Sequence, residues 1–320
     1  MKYCLIMNPY SRGGRGRELA QRCVQYLGHQ GCSYDTEIVE NFQQAYTLSQ
    51  KANQKAYDVI VAIGGDGTIN RVLNGFYDQS GKRVSGAKFG VLHTGTSPDF
   101  CRSYQVPLDL KEAVQSLVTL NTRTIPVGRI RFAEQFHADY QGKTIDEVRN
   151  AKVAYYACCA NIGLGAALAR EANSGIRRYL GDAVGTFLSL LKVLSGYRPG
   201  SYDIVHDAER TCLENVFNIS IGLTHYIASG IKSYKKNMVD KNRFYVMTVR
   251  NITLRSLLPM LYKVYHGREF ENTEYLSMSE AGTMDILGTG MNPEIEYDGD
   301  PAGYLPCSID MASDKLELIY

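Results

Sequence analysis

The sequence predicts an α/β domain built on a parallel sheet, followed by a second, mainly antiparallel β domain. Three observations predict this. In the first third of the 320 residues, short apolar runs alternate with amphipathic stretches, the pattern of a parallel sheet covered on both faces. Glycine-bearing polar loops follow several of those runs, at 8–16, 64–68 and 93–99, where open α/β sheets place their ligands. Beyond about residue 122 the alternation gives way to longer β-rich runs with one clear helix between them.

The elements follow in order. "YCLIM" (3–7) reads as a buried strand, then the loop "NPYSRGGRG" and a helix through Glu18–Tyr26. "YDTEIV" is a second strand and "QQAYTLSQKA" a second helix. "DVIVAI" (58–63) is the third strand, followed by a glycine turn and a helix through Asn70–Tyr77, and "KFGVLH" (88–93) is the fourth. "LKEAVQSLVTL" (110–120) closes the first domain, placed at 1–121. The second domain, 122–309, takes in "TRTIPVGRIRF", "KVAYYACCANIG", "FNISIGLTHYI" and "NRFYVMTVRNITL", the helix Ile176–Ser195, and a polar excursion at 133–150. The last strand, "KLELIY", near 310–320, suits either domain and can return to the first.

Composition limits the function classes. An apolar fraction of 44% and a charged fraction of 21% are ordinary for a globular chain. A net charge of +2 with scattered Lys and Arg gives no argument for nucleic acid. The cysteines at 4, 23, 32, 101, 158, 159, 212 and 307 form no CxxC pair, so buried free thiols in a reducing cytoplasm are expected. The first residues lack a cleavable leader pattern. The longest apolar region, Ala183–Leu194, has 12 residues, short of the ~20 needed to cross a bilayer. A cytoplasmic protein, at most peripheral at a membrane, is expected.

The chemistry lies in the loops. In "VAIGGDGTIN" (61–70), three glycines follow a strand and open a helix. Backbone N–H groups of such a turn converge on an anion, and the helix dipole adds to them. Asp66 would repel phosphates unless a cation such as Mg²⁺ stands between; the alternative is a glycine-rich turn in which Asp66 caps the helix. "GGDGT" is neither a Walker A nor a dinucleotide fingerprint. His93, His225 and His266 are not spaced as a metal cluster, and no GxSxG elbow is found.

Together, "NPYS" (8–11), "GGDGTIN" (64–70), "GTSPDF" (95–100) and "DGD" (298–300) resemble the diacylglycerol kinase catalytic family. That family includes bacterial soluble lipid kinases and relatives of sphingosine and ceramide kinases. The resemblance implies an NAD-kinase- and phosphofructokinase-like nucleotide domain followed by a β-sandwich. It implies a lipid kinase that transfers the γ-phosphate of ATP, with Mg²⁺, to a hydroxyl of a diacylglycerol- or sphingoid-like lipid. By it, Asn8, Pro9, Ser11, Gly64, Gly65, Asp66, Gly67, Thr68, Asn70 and Thr96 bind ATP. Asp66 stands near the metal, Asp240 matches an aspartate of a second Mg²⁺ site, and Asp300 matches the base. ATP and a lipid reached by peripheral membrane contact are the implied partners, and a homodimer is compatible.

The chain departs from the family pattern at His93, Thr94 and Pro98, which replace proline, leucine and asparagine of the third loop, and at Arg12, which replaces a glycine. Lys241 and Tyr245 depart from the second metal motif, and Asp300 is one methylene shorter than the family's glutamate. The helix at 176–195 and "SLLPMLYKVYHG" (256–267) are candidate lipid-facing rims, with core burial as the plainer reading. An NAD-kinase-like phosphotransferase on a soluble acceptor, and a nucleotide- or lipid-binding relative without efficient transfer, are the alternative functions.

Overall fold

The computed structural model describes all residues except 12–15, 42, 172–191, 195, 225–241, 254–255, 257–271 and 292. The chain divides into two compact units, Met1–Val127 with Ala312–Tyr320, and Gly128–Met311.

The first unit is the α/β unit. Its elements are β1 (Lys2–Met7), α1 (Gly16–His29), β2 (Ser33–Ile38), α2 (Gln44–Gln54), β3 (Val59–Gly64), α3 (Asp66–Asn74), β4 (Lys88–His93), α4 (Asp99–Tyr104), α5 (Leu110–Thr119) and β5 (Thr122–Ile125). The chain's last strand, β16 (Leu316–Ile319), completes the sheet in the order β2-β1-β3-β4-β16-β5. All neighbours are parallel except β16 and β5. β3 is buried along its whole length, because a parallel strand covered on both faces must be apolar on both. β2, at the edge, is largely exposed and polar. On one face, Leu5, Val61 and Ile63 pack with Ala20, Cys23 and Leu27 of α1 and Val114 and Leu117 of α5. α2 and α3 pack against each other and against β3. The helix expected at Asn70 starts at Asp66, since an acidic residue suits the first turn of a helix.

The second unit is antiparallel. Its strands are β6 (Gly128–Ala133), β7 (Lys152–Tyr156), β8 (Cys159–Gly163), β9 (Gly200–His206), β10 (Glu209–Gly222), β11 (Phe244–Arg250), β12 (Leu276–Ala281), β13 (Met284–Ile286), β14 (Glu294–Tyr297) and β15 (Asp300–Met311). The helix α6 (Leu164–Glu171) follows β8. The strands run β12-β11-β10-β8-β14-β15-β13-β9, and β9 pairs again with β10, so the central strands close on themselves. β10 does this by shifting register between Leu213 and Asn218, pairing β9 with its first half and β8 and β11 with its second. The enclosed core holds Tyr156, Ile162, Tyr202, Ile219, Phe244, Ile295, Cys307 and Ile309.

The run "TRTIPVGRIRF" is divided, with β5 in the first sheet and β6 in the second. The polar excursion at 133–150 contains two single 3₁₀ turns, Ala138–Tyr140 and Ile145–Glu147. It is held by a Thr144–Glu147 capping box and by backbone bonds to Gly288, which accepts the Gly142 N–H at 2.8 Å and donates to Lys143 O at 3.0 Å. All eight cysteines are free, and six are buried. Burial pushes the Cys4 and Cys23 thiols up to about 12, leaving them unreactive. The helix expected at 176–195 and the rim at 256–267 fall largely outside the described residues.

Candidate functional site

In the first unit, β1, β3 and β4 end side by side. The sheet order reverses between β1 and β3, which makes their carboxyl ends a topological switch point where the backbone diverges and leaves a crevice. Asn8, the first residue after β1, is 8% exposed. Its backbone N–H reaches Ile63 O at 2.8 Å, and its Nδ2 donates to Thr68 Oγ1 at 2.9 Å. Its Oδ1 accepts the N–H of Tyr10, closing an Asx turn. The first and second loops are thereby joined through Asn8 and Thr68.

The third loop is tied to both. Ser11 Oγ lies 2.8 Å from Thr94 Oγ1, and the Thr94 N–H donates to Gly64 O at 2.8 Å. The glycines have a local reason to be there. A Cβ on Gly64 would lie 2.5 Å from Thr68 Cβ, and one on Gly95 would lie 2.5 Å from Gly65 Cα, so the second and third loops touch backbone to backbone. Asp66 is the first residue of α3, and its Oδ2 accepts the Asp99 N–H at 3.1 Å. His93 Nε2 stands 3.8 Å from Asp66 Oδ1 and 3.1 Å from Ser97 O. A carbonyl only accepts, so Nε2 carries the proton and donates to Ser97.

Of the residues expected to bind ATP, Asn8, Ser11, Gly64, Gly65, Asp66 and Thr68 are brought together. Pro9 is buried beside them, Gly67 lies in the first turn of α3 and passes its carbonyl to Arg71, and Asn70 is buried within α3, where it accepts from Asn74. Thr96 is exposed on the third loop, while Thr94 holds the interior position next to Ser11. Two residues were missed. Thr94 and His93 looked like departures from a motif, yet they make the third loop's contacts. Their position at the end of a strand was the available signal.

The "DGD" motif is in the second unit. Asp298 and Gly299 have φ of +47° and +91° and join β14 to β15 as a two-residue hairpin turn, the type I′ geometry that favours Asp-Gly. Asp298 accepts the backbone N–H groups of Ala157, Cys158 and Cys159 at 2.9, 2.9 and 3.1 Å. It thus clasps the turn between β7 and β8. Asp300 opens β15 and is half-buried. Behind it Glu296, only 4% exposed, accepts from Asn161 Nδ2 at 2.6 Å and from the Gly299 N–H. Burial pushes its carboxyl up to about 8 against the hydrogen bonds that pull it down.

Among the described residues no group of three His, Cys, Asp or Glu is placed to hold a metal, and Asp240 lies outside them. Mg²⁺ in phosphoryl transfer is commonly held by one or two carboxylates together with the substrate's phosphates. Asp66, joined to Asp99 at the start of two helices, is a donor set that fits this.

Residues 2–130 match the family model for the diacylglycerol kinase catalytic domain, and residues 158–320 match that for the YegS C-terminal NAD kinase beta sandwich-like domain. The chain belongs to the family that joins a diacylglycerol kinase catalytic domain to a YegS C-terminal NAD kinase beta sandwich-like domain. Among curated relatives, this family member is 31% identical over 139 residues to a diacylglycerol kinase of Staphylococcus haemolyticus, covering 41% of this chain and 39% of that one. It is 30% identical over 133 residues to a diacylglycerol kinase of Staphylococcus epidermidis, covering 39% of each. The match thus spans well under half the length of these relatives. A crystal structure of a diacylglycerol kinase from Bacillus anthracis superposes over 100% of this chain and 96% of its own, with a TM-score of 0.68 at 17% identity, a likeness of fold.

Proposed function

We propose that the protein is an ATP-dependent lipid kinase that phosphorylates a hydroxyl of a diacylglycerol- or sphingoid-like lipid. The observation that carries this reading is the joining of three glycine-bearing loops at one sheet edge by Asn8–Thr68 and Ser11–Thr94, in a family member that also bears an acidic hairpin turn. The start of α3 carries the positive end of the helix dipole, which favours phosphate. Asn8, Pro9, Ser11, Gly64, Gly65, Gly67, Thr68, Asn70 and Thr96 would line or support the nucleotide loops.

In this reading the lipid hydroxyl oxygen forms a bond to the γ-phosphorus, the bond from that phosphorus to the bridging oxygen of ADP breaks, and the hydroxyl proton passes to Asp300. Mg²⁺, when bound, neutralises phosphate charge; Asp66 and Asp99 would hold it. The other roles are charge placement and alignment, which is most of what phosphoryl transfer asks of a protein. Among the described residues no helix is long and apolar enough to cross a membrane, which suits a lipid reached by peripheral contact. A cytoplasmic location and a homodimer belong to the same proposal.

The test is transfer from γ-labelled ATP to diacylglycerol and sphingosine in mixed micelles, with products identified by mass spectrometry. Labelled lipid phosphate is expected, reduced at least ~100-fold in Asp300→Asn. Label found only on NAD or sugars would overturn the lipid acceptor. Full activity in Asp300→Asn would remove Asp300 from the chemistry.

A further inference from the structure

The turn that carries Asp300 is backed by a buried polar ladder. Ser220 of β10, Asn161 of β8 and Glu296 of β14 stand directly opposite one another across three neighbouring strands. They are 1%, 8% and 4% exposed, and Asn218 beside them is 8% exposed. Ser220 Oγ donates to Asn161 Oδ1 at 2.6 Å, and Asn218 Nδ2 donates to Ser220 Oγ at 2.8 Å and Asn161 Oδ1 at 3.2 Å. Asn161 Nδ2 donates to Glu296 Oε2 at 2.6 Å. At one end Asn218 Oδ1 accepts the Gly165 N–H in the first turn of α6, at 2.7 Å. At the other, Glu296 Oε1 accepts the Gly299 N–H.

Such groups cost stability when buried unless every one is bonded, and the hairpin does not need them. Asp298–Gly299 already suits its turn, and Asp298 is clasped by three backbone donors. What the ladder adds is a fixed relation between the turn, β8 and the start of α6. Gly165 is part of it: a Cβ there would lie 2.8 Å from Asn161 Cβ and 2.9 Å from Asn218 Oδ1.

We propose that Glu296 is a positioning residue for Asp300, holding the turn through Gly299 and held in place by Asn161, Ser220 and Asn218. This rests on the reading of Asp300 as the base. With its carboxyl pushed up to about 8, Glu296 keeps its proton at neutral pH. The charged and titratable groups around it are Asp298 and Asp300 on the turn and β15, and Cys159 on β8. Glu294, on its own strand, pairs with Arg170 of α6 at 3.1 Å. Ionisation of Glu296 adds a desolvated negative charge beside Asp298 and Asp300, and their repulsion displaces the turn that carries Asp300. Transfer therefore falls as pH rises through about 8.

The experiment measures initial rates of transfer from labelled ATP to dioctanoylglycerol in mixed micelles, against pH, for the full chain and its Glu296→Ala and Glu296→Gln variants. The amide shift of Gly299 is followed over the same pH range by NMR. Glu296→Ala is expected to lower kcat about tenfold, the scale of a misplaced reacting group, with the KM for ATP unchanged. Glu296→Gln, which keeps an uncharged acceptor for Gly299, restores most of kcat and abolishes the alkaline fall. Wild-type kcat in Glu296→Ala, or an unchanged alkaline fall in Glu296→Gln, would overturn the proposal. If Glu296→Ala does not fold, the Glu296→Gln profile decides. If the wild type transfers to no lipid, or Asp300→Asn is fully active, the base assignment fails on its own. The Gly299 amide then decides whether Glu296 holds the turn: a midpoint near 8 that vanishes in Glu296→Gln supports it, and a flat wild-type response refutes it.

Discussion

At the scale of single residues, Glu296 makes stability depend on pH in a direction opposite to most carboxylates. Burial holds its pKa in the folded protein at about 8, above the ordinary glutamate value of 4.5, so the folded state binds the proton more tightly. The resulting stability is complete below the unfolded value and is lost as pH rises through about 8. Thermal unfolding across pH 5–9 should show the wild type losing several degrees relative to Glu296→Gln on the alkaline side; parallel curves would show that Glu296 ionises normally. Glu296 was not legible in the sequence. "EIEYDGD" places acids at 294, 296, 298 and 300, and alternation alone sends all of them to one face. Only the pairing of β14 with β8 sets Glu296 opposite Asn161. Asp298 was equally hidden, because the donors it clasps lie some 140 residues earlier in the chain.

At the scale of elements, the strand, glycine turn and helix at 59–74 could be read directly, since continuous burial, flexible backbone and helix period all leave local marks. What could not be read is that the second and third loops touch. Gly65 and Gly95 carry no side chains to signal it, and the contact is made by backbone. Gly95→Ala places a methyl 2.5 Å from Gly65 Cα, which neither loop can avoid without moving. A loss of about 1–3 kcal/mol and weaker ATP binding are expected, measured by thermal unfolding and by calorimetric titration with ATP. Unchanged affinity would mean that the two loops do not act together on the nucleotide. Thr96 illustrates the same limit. Motif order favoured it, but strand register decides which threonine turns inward, and that is Thr94.

At the scale of the whole molecule, two sheets with separate cores are built from one chain, the first from two separate segments of it. The change from alternating to β-rich pattern was visible in sequence, whereas the place of the last strand was not: "KLELIY" suits either sheet by composition. It enters the first, where β16 lies between β4 and β5. The segment leading to it is anchored by Asp314, whose Oδ2 accepts the Arg83 N–H at 2.8 Å and whose carbonyl accepts from Tyr77. Removing residues 312–320 should turn β4 into an edge strand and destabilise the first unit while the second keeps its core. Hydrogen exchange resolved by peptide would show β3 and β4 deprotected and β10 and β15 unaffected; uniform protection would contradict this.

The position of β16 also sets an order of assembly. The second unit is a continuous stretch, 128–311, and every strand it pairs is present once residue 311 has been made. The first unit, although begun earlier, needs residue 319 to fill the gap between β4 and β5. A chain that emerges from its N-terminus must therefore hold its opening Gly64–Asn70 segment in an unfinished sheet while its middle closes. During synthesis, the sheet whose loops would grip a nucleotide is completed last.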